Sequence, residues 1–212
     1  MNVLKAATFA LAFLAAACSE RPADQPVSND AAETAPPAAA GAPVAPTSQP
    51  KDEQLLTPEG WGPLRIGMTV AQVIAALGPD SDPEAVGGPD PESCDQFRPE
   101  RAPDGMLVMI EDGLLTRISL IDGSKVKTDR GLGIGIPAAA VRDAYGTELQ
   151  ETPHKYEGPP AEYLTMWAKD GGPIDRAVPP NSRGIQYVVD STGRVGSIHA
   201  GGPSILYVEG CA

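Results

Sequence analysis

The sequence carries few of the side chains on which most enzyme and metal chemistry depends. It has two histidines, His154 and His199, and three cysteines, Cys18, Cys94 and Cys211. No His-x-x-x-His or Cys-x-x-Cys spacing occurs, so the donor sets of zinc sites are not encoded. No Gly-x-Ser-x-Gly elbow is present, which removes one hydrolase signature. Ser197 and His199 stand two apart and would share a strand face, but a triad also needs a positioned acid and an oxyanion pocket. Basic residues are scarce. The net charge is −12, and 13 basic against 22 acidic residues from position 58 onward leave that part near −9. A polyanion would be repelled, so nucleic acid is not an expected partner. No catalytic residue, metal site or cofactor is expected.

Long apolar runs are also lacking. The one run near the start, residues 6–17, is uncharged and follows Lys5. It is too short to span a bilayer as a helix, which takes about 20 apolar residues. Small residues and then Cys18 close it, in Leu14-Ala15-Ala16-Ala17-Cys18, the layout of a secretory signal peptide. The cysteine directly after the small residues resembles the lipobox of bacterial lipoproteins. The match departs at one place: Leu14 lies four residues before the cysteine, and Ala15 stands where the family prefers leucine. Ordinary signal peptidase could also cut here, since Ala15-Ala16-Ala17 fits its small-x-small rule. The resemblance implies a signal at 1–17, an acylated Cys18 and a membrane anchor through that lipid. Ser19, not aspartate, follows the cysteine. By the same resemblance this implies the periplasmic face of the outer membrane, with an inner-membrane or Gram-positive anchor as the alternative.

With Cys18 lipidated, Cys94 and Cys211 remain as one pair. An oxidising envelope favours a disulfide between them; two unpaired buried thiols are the alternative. After Cys18 the chain is rich in Pro and Ala, as in Thr34-Ala35-Pro36-Pro37-Ala38-Ala39-Ala40. Such composition cannot bury enough surface to offset its ordering entropy, so 18–57 reads as a spacer and 58–212 as the folded part.

Two stretches align without gaps at an offset of 68. Leu64-Arg65-Ile66-Gly67-Met68-Thr69-Val70-Ala71-Gln72-Val73-Ile74-Ala75-Ala76-Leu77-Gly78 matches Leu132-Gly133-Ile134-Gly135-Ile136-Pro137-Ala138-Ala139-Ala140-Val141-Arg142-Asp143-Ala144-Tyr145-Gly146. In the first, Thr69 and Gln72 form a capping box and Gly78 ends a helix. Val70, Val73, Ile74 and Leu77 give its apolar face. In the second, Pro137 takes the first helical position, and Ala138, Val141 and Tyr145 face inward. Strands are expected at 106–111 and 114–121 around an Asp112-Gly113 hairpin turn. Others are expected at 162–169, 185–190, 194–199 and 204–209. The predicted fold is therefore α+β: two tandem helix–β-meander repeats, about 58–127 and 128–212, with short helices packed on one face of antiparallel sheet. The Gly67-Met68-Thr69 step before a short helix and a meander resembles the BamE-type outer-membrane assembly lipoproteins. Doubled, it resembles the secreted β-lactamase inhibitor proteins.

Two further motifs have simpler readings. In Gly131-Leu132-Gly133-Ile134-Gly135, Ile136 stands where a dinucleotide loop needs its third glycine, so this is read as a structural turn. The acidic stretch 80–95 has Ala85 and Pro91 where an EF-hand needs Gly and Glu, so a solvated loop is expected and calcium binding is the alternative. The aromatic side chains, at 5 % of the chain, matter by being few. Alternation places Tyr163, Thr165, Trp167 and Lys169 on one strand face, opposite Leu164, Met166 and Ala168. If that face is open, Tyr163, Trp167, Tyr187 and Tyr207 would anchor a protein or peptide partner. Arg65, Arg117, Arg142 and Arg194 either line a site or are solvated surface charge. The expected function is a non-catalytic envelope lipoprotein that binds a protein or peptide. The alternatives are a structural part of outer-membrane assembly, or a small-ligand or calcium-binding module.

Overall fold

Thr69 sets the start of the first helix by its own chemistry. Its hydroxyl accepts from the Gln72 amide, and the Gln72 side chain accepts from the Thr69 amide at 2.8 Å. Two amides that helix geometry leaves orphaned are thus satisfied. The helix, α1, spans Val70–Leu77 and stops at Gly78, whose φ of 90° suits glycine because no Cβ resists it. The second helix, α2, spans Ala138–Tyr145. Pro137 is its N-cap and makes no side-chain cap bond, one position before the place expected. Helices of two turns do not persist alone. Burial holds these: Val73 and Leu77 in α1, Ala138, Val141 and Tyr145 in α2. Ile74, expected on the inner face, is exposed.

The computed structural model describes residues 54–84, 87–168 and 178–211, all in the unit Pro46–Ala212. Two short strands, β1 (Gly60–Trp61) and β2 (Leu64–Arg65), pair as a small hairpin. Seven more form one antiparallel sheet: β3 (Cys94–Phe97), β4 (Met106–Glu111), β5 (Leu114–Leu120), β6 (Leu149–Pro153), β7 (Glu162–Trp167), β8 (Gly184–Val189) and β9 (Val195–Gly201). Their order is β3-β4-β5-β9-β8-β7-β6. The β4–β5 turn is made by Asp112 and Gly113, both at positive φ, as the tight hairpin requires.

This architecture corrects the expected α+β pair of tandem helix–β-meander repeats. Among the described residues the regular structure is mostly sheet, with two short α-helices against it. The overturning feature is the pairing of β5 with β9, from Arg117↔Gly201 to Leu120↔Ile198, which makes one sheet from both halves. The internal sequence match marks something smaller. Gly67 N donates to Leu115 O at 2.7 Å and Gly135 N to Val195 O at 2.8 Å. Val70 N donates to Gly113 O, and Ala138 N to Gly193 O. Both helix starts are seated on hairpin turns by the same backbone bonds. The strand expected at 204–209 is instead a 3-10 turn, Pro203–Leu206. The edge strands β3 and β6 were not foreseen. Packed chain also reaches back into the stretch expected as spacer: Leu56 is fully buried and its amide bonds Lys127 O.

The disulfide joins Cys94 on β3 to Cys211, across 117 residues. In the chain-entropy account a loop of this length stabilises the fold by about 4–5 kcal/mol. Cys18 and the signal span 1–17 lie outside the described residues. No helix among the described residues is long and apolar enough to cross a membrane.

Candidate functional site

Strand alternation sends successive side chains to opposite faces, and the two faces of this sheet differ in chemistry. Toward the helices, Val108, Ile118, Ala200, Ile185 and Met166 lie side by side in register across five strands, within the apolar core. On the opposite face the neighbouring register row reads Leu107, Ser119, His199, Gln186, Thr165 and Gln150. These polar groups bond one another. His199 Nδ1 is 2.9 Å from Ser119 Oγ, its Nε2 is 3.3 Å from Ser197 Oγ, and Gln186 Nε2 donates to Thr165 Oγ1 at 3.2 Å. Burial, and then the charge of Arg117, push the His199 imidazole down to about 3, because both disfavour a second positive charge. The ring is therefore neutral near pH 7 and a weak base. Its hydrogen-bond partners are hydroxyls rather than a carboxylate, unlike a hydrolytic triad.

Arg117 lies in the next row and is buried. Its guanidinium donates to the Ser204 and Tyr207 carbonyls at 3.0 and 2.9 Å and to Gln96 Oε1 at 2.8 Å. Burial lowers its pKa to about 10, against the opposing pull of Glu111, so it stays charged. It clamps the C-terminal segment onto the sheet, and Cys94–Cys211 fastens the same segment to β3.

The expected aromatic anchors meet different fates. Tyr163 and Trp167 do point to the same face, as alternation required, but they are 7 % and 8 % exposed. Trp167 lies against Gly184, where a Cβ would collide with its ring and with Ile205 of the C-terminal turn. His154 stacks on Tyr163 with ring centroids 4.8 Å apart. Tyr187 is on the other face, fully buried, with its hydroxyl 2.9 Å from that of Tyr145 and donating to Thr128 Oγ1. The four tyrosine and tryptophan side chains thus form no shared open patch. Tyr207 alone among them is exposed, at 47 %. The charge of Glu111, followed by burial, raises its hydroxyl pKa.

Tyr207 borders a cleft of about 590 Å³ with Cys94, Glu111, Lys155, Val208 and Glu209. Lys155 Nζ and Glu209 Oε1, 3.3 Å apart, line it as well. Exposed Val208 adds apolar surface there, and exposed Leu114 lines a smaller adjoining pocket of about 260 Å³ that Glu111 and Tyr207 also border. A second cleft, about 630 Å³, lies between α2 and the loop from β6 to β7. There Arg142 meets Glu151 at 3.0 Å and Glu162 at 2.6 Å. The bonds to Glu151 first, and then to Glu162, raise the Arg142 pKa. Arg65 and Arg194 spend themselves on backbone carbonyls, Gly62 and Leu64 for the first, Gly135 for the second.

In the acidic stretch, Asp80 Oδ1 accepts from the Asp82 and Arg98 amides, and Asp90 accepts from Ser93. These carboxylates serve their own loop. Among the described residues, no three His, Cys, Asp or Glu side chains gather as a metal site would require. Lys155, Glu111 and Leu114 were not foreseen as neighbours of Tyr207. Only the Asp112-Gly113 turn signalled that Leu114 would sit at a hairpin tip.

No family model matches the chain. No curated protein matches it either. Among solved structures, it is similar to a cysteine-rich secretory protein from Staphylococcus aureus, at 9 % identity and a TM-score of 0.36. That alignment covers 66 % of this chain and 46 % of the other, so the likeness spans less than half of the staphylococcal protein's length.

Proposed function

We propose that this chain is an exported, lipid-anchored envelope protein whose domain binds a protein or peptide partner and catalyses no reaction. The supporting observation is the Cys94–Cys211 disulfide. It fits an oxidising compartment and uses two of three thiols, leaving Cys18 of the lipobox-like stretch as the odd one. The proposed address is the periplasmic face of the outer membrane, reached through an acyl chain on Cys18. Lipid alone binds weakly: a single acyl chain gives marginal attachment, and stable anchoring takes more than one.

The proposed contact surface is the exposed group around Tyr207, with Val208 and Leu114 beside the cleft that Glu111 and Lys155 line. Exposed tyrosine next to apolar side chains is common at the centres of interfaces. Tyr163, Trp167 and Tyr187 play no direct part, because their rings are covered.

Two measurements test the two halves of this reading. Metabolic labelling with a palmitate analogue should mark the wild type and not Cys18→Ala, and globomycin should cause the precursor to accumulate. A photo-reactive residue at position 207 should give specific cross-links in cells, whereas the same residue at exposed position 122 should not. An unlabelled, freely soluble mature chain would remove the anchor. Absence of any specific adduct at 207 would remove the contact surface.

A further inference from the structure

The cleft beside α2 combines three features that no local packing need explains. Its walls are rigid and apolar, made by Pro137, Ala138, Ala139, Pro153, Pro160 and Ala161. It reaches β6, the terminal strand of the sheet among the described residues, and takes Glu151, Thr152 and Pro153 into its lining beside Glu162 of β7. Alternate backbone groups of a terminal strand face outward and are available to a further strand. Its charge is unbalanced: Glu151, Glu157 and Glu162 line it against one cation, Arg142. Arg142 is already committed to Glu151 and Glu162, and Glu157, exposed, also lines the cleft.

We infer that this cleft takes an extended segment of a partner polypeptide in which basic side chains alternate with small apolar ones. The inference rests on reading the domain as a partner-binding module, but not on the lipid anchor or the surface at Tyr207. The apolar side chains would face the proline and alanine walls. The basic ones would meet Glu157 and the acidic surplus of the floor, and the backbone would lie along β6. Such recognition takes affinity from main-chain bonds and selectivity from alternate side chains. Opposite charge steers the encounter and disfavours acidic competitors. The net acidity of the whole folded part favours the same sign of partner.

The internal sequence match supplies a matched pair of variants. Ala139 is exposed and lines the cleft, and Ala71 occupies the corresponding exposed place on α1 and lines neither of the two clefts described above. The probe is a fluorescein-labelled peptide of repeating Lys-Val, compared with repeating Glu-Val, titrated against the full chain in detergent and read by anisotropy. The Lys-Val peptide should bind saturably and at least about tenfold more tightly than the Glu-Val peptide, a difference of about 1.4 kcal/mol. Raising salt from about 0.05 to about 0.5 M should weaken it, since screening shortens to a few ångström. Ala139→Arg should weaken it about tenfold or more, and Ala71→Arg should leave it unchanged. Equal binding of both peptides, no binding of either, or insensitivity to Ala139→Arg would overturn the cleft assignment. Specific cross-links from position 207 alongside any of those results would discard the cleft while leaving the partner-binding module standing.

Discussion

The two faces of the seven-stranded sheet achieve burial by different means. The helix face is closed mainly by side chains that need only contact: Leu164, Ile185, Ile198 and their apolar neighbours, under Val73 and Val141. The opposite face buries Ser119, Thr165, Gln186 and Arg117, each of which costs free energy unless bonded. It manages this with hydrogen bonds among Ser119, His199, Gln186 and Thr165, and with a C-terminal segment held by one guanidinium and one disulfide. The first face needs chiefly apolar volume, with one hydroxyl cluster of Tyr145, Tyr187 and Thr128 bonded within it. The second needs geometry and long-range connections, so it is the face that a single change should open.

The largest expected break in that asymmetry is loss of the disulfide. Reduction, or Cys94→Ser, should lower stability by about 4–5 kcal/mol if the chain-entropy account holds, measured by urea titration with and without reductant. Amide exchange should rise first in 203–211 and only later under the helices. Next is a cavity on the helix face. Ile198→Ala should cost about 2–5 kcal/mol and should lower stability without selectively freeing the C-terminal segment. Arg117→Met should cost about 1–3 kcal/mol, because the Ser204 and Tyr207 carbonyls and Gln96 lose their donor. Its signature is faster exchange in 203–211 with the helix face unchanged, which distinguishes a clamp from a general packing residue.

Acid should also act on the polar face before the apolar one. The folded His199 pKa lies near 3, below its ordinary 6.5. Below pH 6.5 the unfolded chain therefore takes up a proton that the folded chain refuses. Stability should fall as pH drops from about 6.5 toward 3, by about 2 kcal/mol by about pH 5. His199→Gln should flatten the Tm–pH curve between about pH 6.5 and 5, above the ordinary carboxylate range. The smallest effect belongs to a helix end. Thr69→Ala removes the capping box and should cost about 0.5–1 kcal/mol, seen as a small Tm shift with neither face opened.

Where a feature depends on neighbours in sequence, the residues spelled it out. Thr69, Gln72 and Gly78 bounded α1, and Asp112-Gly113 marked the β4–β5 turn. The inward set Ala138, Val141 and Tyr145 of α2 followed from periodicity. Strands β3 and β6, Cys-Asp-Gln-Phe and Leu-Gln-Glu-Thr-Pro, carry too few apolar residues to announce themselves, and they are strands because β4 and β7 offer them partners. The candidate site was less legible still. Alternation placed Tyr163 and Trp167 on the correct face, yet nothing nearby in sequence foretold the cover from Ile205 and His154. The glycine and helix match between 64–78 and 132–146 was real as a local seat and misleading as a blueprint for two repeats, because it is silent about strand pairing.

Cysteine parity, charge, helix limits and tight turns were thus determined by the chain itself, since each depends on composition or on groups within a few bonds of one another. Only the tertiary structure decided that β5 meets β9, that Tyr187 turns inward, and that the last residues return to close the sheet's polar face. Those outcomes depend on contacts between residues far apart along the chain, such as Arg117 with Tyr207 and Cys94 with Cys211. Such contacts form only when folding offsets the entropy of closing long loops, and no local pattern encodes that balance.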